Sequence, residues 1–305
     1  MEDKFVVSSS PHLLTQESTD TIMRDVVIAL IPPTIAGVIF FGWWGLAIVI
    51  IGMLSAMVTE SVLLRKSLSF NSLKGDWSAA VTGILVALIL PPYSPWWVVA
   101  IGSFIAIAIG KLFFGGIGNN TFNPALVGRA ILFVSWPVFM TAWSKPVGTH
   151  DVMTAATPLG GADATYTELF MGNVSGCLGE TSVLAILIGG IFLIARGHVD
   201  WVVPVSYLAS MAALAPIAGE DPVFHLLSGG AVFAAFFMAT CMVTSPFTRS
   251  GKVIFGLGCG ILTGLMRYYG AAPEGVTYAI LIMNALVPFI NSYTRPRIYG
   301  EVSER

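Results

Sequence analysis

Four residues, Gly179-Glu180-Thr181-Ser182, stand where a long polar stretch, residues 144–176, gives way to a fully apolar run. A Ser or Thr just before an apolar run reads as a helix N-cap, its oxygen accepting from backbone N–H groups of the first turn. A second reading is a tether. A Thr hydroxyl facing water at a membrane edge, with its helix anchored in lipid, is a place to attach a phosphate-linked prosthetic group. A phosphate there gains from the unpaired N–H groups and dipole of the helix start, about 0.3–1 kcal/mol when exposed. Gly176, Gly179 and Ser182 are small and leave room for a modifying enzyme. Glu180 would repel a phosphate, so it points away or serves the attachment step. Spacing alone leaves cap and tether both standing.

Two more polar clusters interrupt apolar sequence. Asn119, Asn120, Thr121 and Asn123 precede Arg129, and Thr240, Cys241 and Thr244 form the second. These groups can line a ligand site or cap broken helices against their own backbone. Arg129 lies about 9 Å along its helix from Asn123. It either snorkels to the cytoplasmic interface or pairs with an anionic or polar ligand. Other chemistry is poorly provided for. Cys177, Cys241 and Cys259 show no CxxC spacing and are too few for a four-thiolate iron–sulfur site. His12, His150, His198 and His225 show no paired spacing for a metal. No Walker loop, nucleophile elbow or dinucleotide fingerprint is present, and no basic, aromatic-rich patch suggests nucleic acid.

The elements that must position these residues follow from composition. Of 305 residues, 55% are apolar and only 10% are charged, and the mean hydropathy is +0.81. Soluble domains carry about 25% charged residues, so this is an all-α integral membrane protein. About ten apolar segments approach spanning length, among them residues 123–143 and 225–244. One of them, residues 78–90, is short, stops at Pro91-Pro92, and reads as a half-helix packed within protein. The expected organisation is a cytoplasmic tail (1–24), a first membrane half (25–143), an extracytoplasmic segment (144–177), a second membrane half (178–293) and a C-terminal tail (294–305). The tail through Arg24 has no apolar core of a secretory signal peptide.

Arg65, Lys66, Lys74, Lys111, Arg196 and Lys252 are among the many cations that fall on one side of this arrangement, and only Lys145 and Arg267 on the other. The positive-inside rule then puts both termini in the cytoplasm and Thr181 outside. Both further clusters lie toward the cytoplasmic side, across the membrane from Thr181. An odd number of helices in each half, about five, makes the second half enter the membrane inverted. Thr82-Gly83 with an apolar run to Pro91-Pro92 is weakly matched by Gly229-Gly230 with a run to Ser245-Pro246. This predicts an inverted 5+5 repeat with some helices short or broken and its ligand site at the repeat interface.

Several longer motifs carry a resemblance: Ser9-Ser-Pro-His-Leu, Val81-Thr-Gly-Ile-Leu-Val-Ala-Leu-Ile-Leu-Pro-Pro92, Phe114-Gly-Gly-Ile-Gly-Asn-Asn-Thr-Phe-Asn-Pro-Ala-Leu-Val-Gly-Arg129, Gly179-Glu-Thr-Ser182 and Phe224-His-Leu-Leu-Ser-Gly-Gly230. From about residue 8 to 288 the chain resembles the D subunit of the Rnf electron-transport complex (RnfD). It is similar also to the B subunit of the sodium-translocating NADH:quinone reductase. The resemblance implies FMN joined by a phosphoester to Thr181, put there by a flavin transferase, and a second, noncovalent flavin, riboflavin. It implies an ion-translocating (Na+ or H+) ferredoxin:NAD+ oxidoreductase in a prokaryotic inner membrane, whose A, B, C, E and G subunits are the partners. The family often has an Asp after Met-Ala-Thr, where this chain has Cys241.

A flavin ring needs apolar faces and a few fixed donors and acceptors at its edge. With the resemblance, the Asn119–Arg129 and Thr240–Thr244 clusters become candidates for the second flavin. A different class of function, a channel or transporter for a small polar solute, suits an inverted repeat as well. The polar segment ending at Thr181 is what such a channel would not need.

Overall fold

The computed structural model describes residues 18–66, 75, 77–144, 146, 156–162, 164–270 and 275–296. Most of both expected tails, and residues 147–155 of the polar segment, lie outside these. Among the described residues every regular element is helical, as expected where backbone groups without water must pair within their own segment. The elements are α1 (Thr19–Phe41), α2 (Trp43–Leu63), α3 (Ser78–Leu88), α4 (Trp96–Ile105, continuing as a π-helix Ala106–Leu112) and α5 (Pro124–Ser135). After the polar segment, which contains α6 (Tyr166–Met171), come α7 (Val183–Ala195), α8 (Val202–Ala218) and α9 (Pro222–Leu227). The last are α10 (Ala231–Phe233, continuing as a π-helix Ala234–Met238), α11 (Arg249–Tyr269) and α12 (Val276–Thr294). Helices α1, α2 and α12 are long and apolar enough to cross a membrane.

Three boundaries differ from the sequence expectation, each for a local reason. Helix α1 starts before the apolar run, because the Ser18 side chain accepts from Thr21 N (3.2 Å) and caps it. The expected span over residues 123–143 stops at Ser135, where Pro137 opens a separate turn, Pro137–Met140. The expected span over residues 225–244 is broken between α9 and α10, where Gly229 (φ 62°) and Gly230 (φ 69°) turn the chain through the left-handed region.

Helix α3 organises the core. All 11 of its residues are buried, and it is only about 16 Å long, roughly half the thickness of a bilayer's hydrocarbon layer. It lies on α2, which also packs on α4, while α1 packs on α7 and α8 on α11. Glycines let α2 and α3 touch backbone to backbone: a Cβ on Gly52 would stand 2.7 Å from Gly83 O. A buried half-helix ends inside protein, so its last carbonyls need partners there.

Candidate functional site

Those partners build the site. Leu88 O accepts from Gly179 N (2.8 Å) and Leu90 O from Leu178 N (3.1 Å). Between them, Ile89 O accepts from Arg129 Nη1 at 2.5 Å. Three successive carbonyls at the end of α3 are thus held by the segment that leads to Thr181 and by one side chain of α5. The same Arg129 Nη1 lies 3.1 Å from Glu180 Oε1 and 3.5 Å from Cys177 Sγ. Gly179 is small because Leu88 is against it: a Cβ there would stand 2.6 Å from Leu88 Cβ.

The cap falls to Ser182 and not to Thr181. Ser182 is the N-cap of α7, its hydroxyl accepting from Ala185 N at 3.4 Å. The Thr181 hydroxyl is left without a hydrogen-bond partner among the described residues. Thr181 does not face open water, as the sequence had suggested. It is 3% exposed and lines a recess of about 790 Å³, including the recess's mouth, together with Arg129, Glu180, Phe233 and the Ser228-Gly229-Gly230 turn. Glu180 reaches across this recess: a Cβ on Gly230 would stand 2.7 Å from its Oε2. The Ser228 hydroxyl, also on the wall, is buried and has no partner among the described residues.

A second cavity, about 820 Å³ including its mouth, collects Asn120, Asn123, Thr240 and Cys241 from the two halves of the chain. Val81, Leu85, Phe236 and Phe237 give it apolar walls. Both π-helical stretches border it, through Lys111 and through Phe236 and Phe237; such stretches are frequent at functional sites. Its polar groups also serve the backbone. Asn123 caps α5, accepting from Ala125 N (3.0 Å), and donates to Met238 O (3.1 Å). Thr240 donates to Phe236 O (2.5 Å) and Asn120 Nδ2 to Phe122 O (3.2 Å).

Four candidates lie elsewhere. Arg129 leaves the asparagine cluster and joins Thr181, because α5 carries it from Asn123 toward the end of α3; it neither snorkels nor stays beside Asn120. Asn119 and Thr121 are exposed and line neither cavity. Thr244 is buried outside both, its hydroxyl unpartnered among the described residues. Its carbonyl accepts from the Asn284 amide at 3.2 Å once that amide is oriented to satisfy its neighbours.

Sequence reasoning missed two carboxylates held at the second cavity, Glu60 and Asp25. Lys111 Nζ meets Glu60 Oε1 at 3.0 Å and also bonds Ser78 Oγ. His198 Nε2 meets Asp25 Oδ2 at 2.9 Å, and Arg196 Nε reaches the same oxygen at 2.8 Å. The available signal was an ionisable residue within an apolar stretch, expensive unless paired.

The polar segment is docked onto this core. Tyr166 O–H of α6 donates to Asp221 Oδ2 at 2.5 Å, just before α9. That hydrogen bond holds the Asp221 carboxyl below the usual carboxylate range and raises the Tyr166 phenol above its own.

With this geometry in place, comparison with known proteins is decisive. Residues 6–300 match the family described as NQR2, RnfD, RnfE. The chain belongs to that family. Among its relatives is the D subunit of the Na(+)-translocating ferredoxin:NAD(+) oxidoreductase complex of Acetobacterium woodii, 45% identical over 98% of this chain and 96% of the relative. The proton-translocating counterpart from Clostridium ljungdahlii is 44% identical over 97% of this chain and 96% of its own length. The D subunit of the ion-translocating oxidoreductase complex of Stutzerimonas stutzeri is 38% identical over 94% of each. Family membership thus joins the all-helical build and its three spanning helices in marking a multi-pass membrane protein.

Proposed function

We propose that this chain is the D subunit of an ion-translocating ferredoxin:NAD+ oxidoreductase complex in a prokaryotic inner membrane, and that it relays electrons through two flavins. The observation that carries the assignment is identity of 44–45% over nearly the full length with two proteins so named. The partners are the A, B, C, E and G subunits of such a complex and a flavin transferase.

The residues fit an FMN linked to Thr181. Its hydroxyl is not used as a cap, and it lines a recess that also presents Arg129, Trp143 and Phe233. Arg129 supplies positive charge beside it, already balanced by Glu180. Flavins when bound supply one- and two-electron chemistry. What the chain contributes is a fixed anchor, so the depth of the ring does not depend on a binding equilibrium.

The second cavity suits a flavin without phosphate, riboflavin. Its walls are apolar, Asn120, Thr240 and Cys241 line it, and its cation Lys111 already faces Glu60, as the His198 imidazole faces Asp25. A phosphate there would find no uncommitted positive charge among these residues, and burying it would be costly.

An inverted 5+5 repeat is the architecture we infer. Two relationships support it. Helices α3 and α10 are both short and start after a residue in the left-handed region, Trp77 (φ 63°) and Gly230. Each is then held at both ends alike: Arg129 and Asn284 reach carbonyls beyond the two C-termini, Lys111 and Arg267 the two starts. The distribution of Lys and Arg supports cytoplasmic termini.

Intact mass of the purified, denatured chain tests the assignment. Made with the transferase, it carries the mass of one FMN less one water and fluoresces in a gel, and Thr181→Ala removes both signals. An unmodified mass under those conditions refutes the tether.

A further inference from the structure

The recess that holds Thr181 is closed by the chain just before it. Gly172, at the end of α6 with φ 109°, lies on Ser182: a Cβ there would stand 2.8 Å from Ser182 Cβ. Gly176 lies against Thr181 itself, with Cγ2 at 3.4 Å from such a Cβ. Pro158 and Leu169 of the same segment are buried, and both line the recess. The Tyr166–Asp221 hydrogen bond fastens the outer edge of α6 to the second half of the chain. Thr181 is 3% exposed beneath these contacts.

Attachment of a flavin makes a steric demand that this arrangement does not meet. Thr181 Oγ1 must attack the flavin-side phosphorus of a flavin dinucleotide. The new O–P bond forms as the pyrophosphate bond breaks, the adenylate half leaves, the hydroxyl proton passes to solvent, and no electrons are exchanged. The donor must approach to about 3–3.5 Å in line, and a transferase must bring its own active-site walls around the hydroxyl. With Thr181 3% exposed and Gly176 against its methyl group, transferase walls cannot close around the hydroxyl.

We propose that residues 156–162 and 164–177 act as a lid: Thr181 is modified before this segment docks, and docking then encloses the linked flavin. This rests on the tether reading above and adds an order of events to it. The segment is suited to docking as a unit. Helix α6 carries its own capping box, Thr165 accepting from Glu168 N and Glu168 from Thr165 N. It is fastened to the rest by a few contacts of the kind that open locally while the core stays folded. Closure would also keep water from the phosphoester.

The experiment separates synthesis from modification in cells. The full chain is pulse-labelled without transferase, synthesis is stopped, and transferase is then induced. A parallel culture makes both together. Intact mass of the purified chain reads the modified fraction. Co-expression is expected to give near-complete modification and late induction roughly tenfold less, as for a site reached only by local opening. Tyr166→Phe, which unfastens α6 but keeps the core, raises late modification several-fold and leaves co-expression unchanged. Gly172→Val, which a positive φ and the Ser182 contact both oppose, raises it further. Equal modification of the wild-type chain in both orders overturns the lid and leaves the tether intact. No added mass in either order overturns the tether and the lid with it.

Discussion

Arg129 Nη1 and Glu180 Oε1 stand 3.1 Å apart, with guanidinium and carboxylate side chains 6% and 15% exposed. This pair joins the middle of α5 to the residue before Thr181, and the same nitrogen caps the end of α3. A charge so enclosed is tolerated because its partner and a backbone carbonyl together replace water.

Arg129→Met removes the cation facing Glu180 and the donor to Ile89 O. It is expected to lower stability by about 3–5 kcal/mol, as for other broken buried pairs. Arg129→Met combined with Glu180→Leu should recover part of that loss. Thermal unfolding of the detergent-solubilised protein checks this, and equal melting temperatures for single and double variants would show that the two residues are not coupled.

Ser182 and Thr181 should separate cleanly. Ser182→Ala removes the cap of α7 and costs about 1 kcal/mol, while the chain still gains the mass of a linked flavin. Thr181→Ala loses the flavin and keeps the cap. Mass spectrometry and thermal unfolding on the same samples decide between these roles, and modification of the Thr181→Ala chain would move the tether elsewhere.

The second cavity is tested on the Thr181→Ala background, where any flavin retained is expected to be noncovalent. Adding Asn120→Leu or Thr240→Val is expected to lower extractable riboflavin at least severalfold and to shift its absorption spectrum. Full riboflavin with an unchanged spectrum in both variants would remove the cavity from consideration.

The Tyr166–Asp221 contact has a defined pH window. Asp221 titrates below its ordinary range in the folded chain, so its share is fully present above about pH 4 and fades as pH falls through the lowered value. Tyr166 titrates above its ordinary range, so its share is fully present below about pH 10 and fades as pH rises through the raised value. The melting difference between wild type and Asp221→Asn should therefore be largest near neutrality and shrink at both extremes. A difference independent of pH would show that ionisation of Asp221 and Tyr166 is not linked to folding, and would remove this contact's pH dependence.

Much of this molecule is legible in its sequence. The shortage of charge, the apolar runs and the Pro91-Pro92 stop announce a helical membrane protein with a buried half-helix, because lipid removes every other way to satisfy a backbone. The motifs through Gly179-Glu-Thr-Ser182 carry the family, and Asn120 and Asn123 of one polar cluster do meet Thr240 and Cys241 of the other at one cavity. Sequence reasoning misplaces Arg129 because a helical position gives a distance along an axis and says nothing of which neighbour lies across from it.

What the sequence by itself determined is the class, the family and the short list of hydroxyls at the start of α7. Only the tertiary structure decided that Ser182 is the cap, that Thr181 is enclosed, and that Arg129 answers Glu180. The physical reason is separation along the chain. Arg129 meets Glu180 across 51 residues and Asn123 meets Met238 across 115. Which of them find each other is set by where buried helix ends leave carbonyls to be satisfied, and that follows from packing that no local pattern encodes.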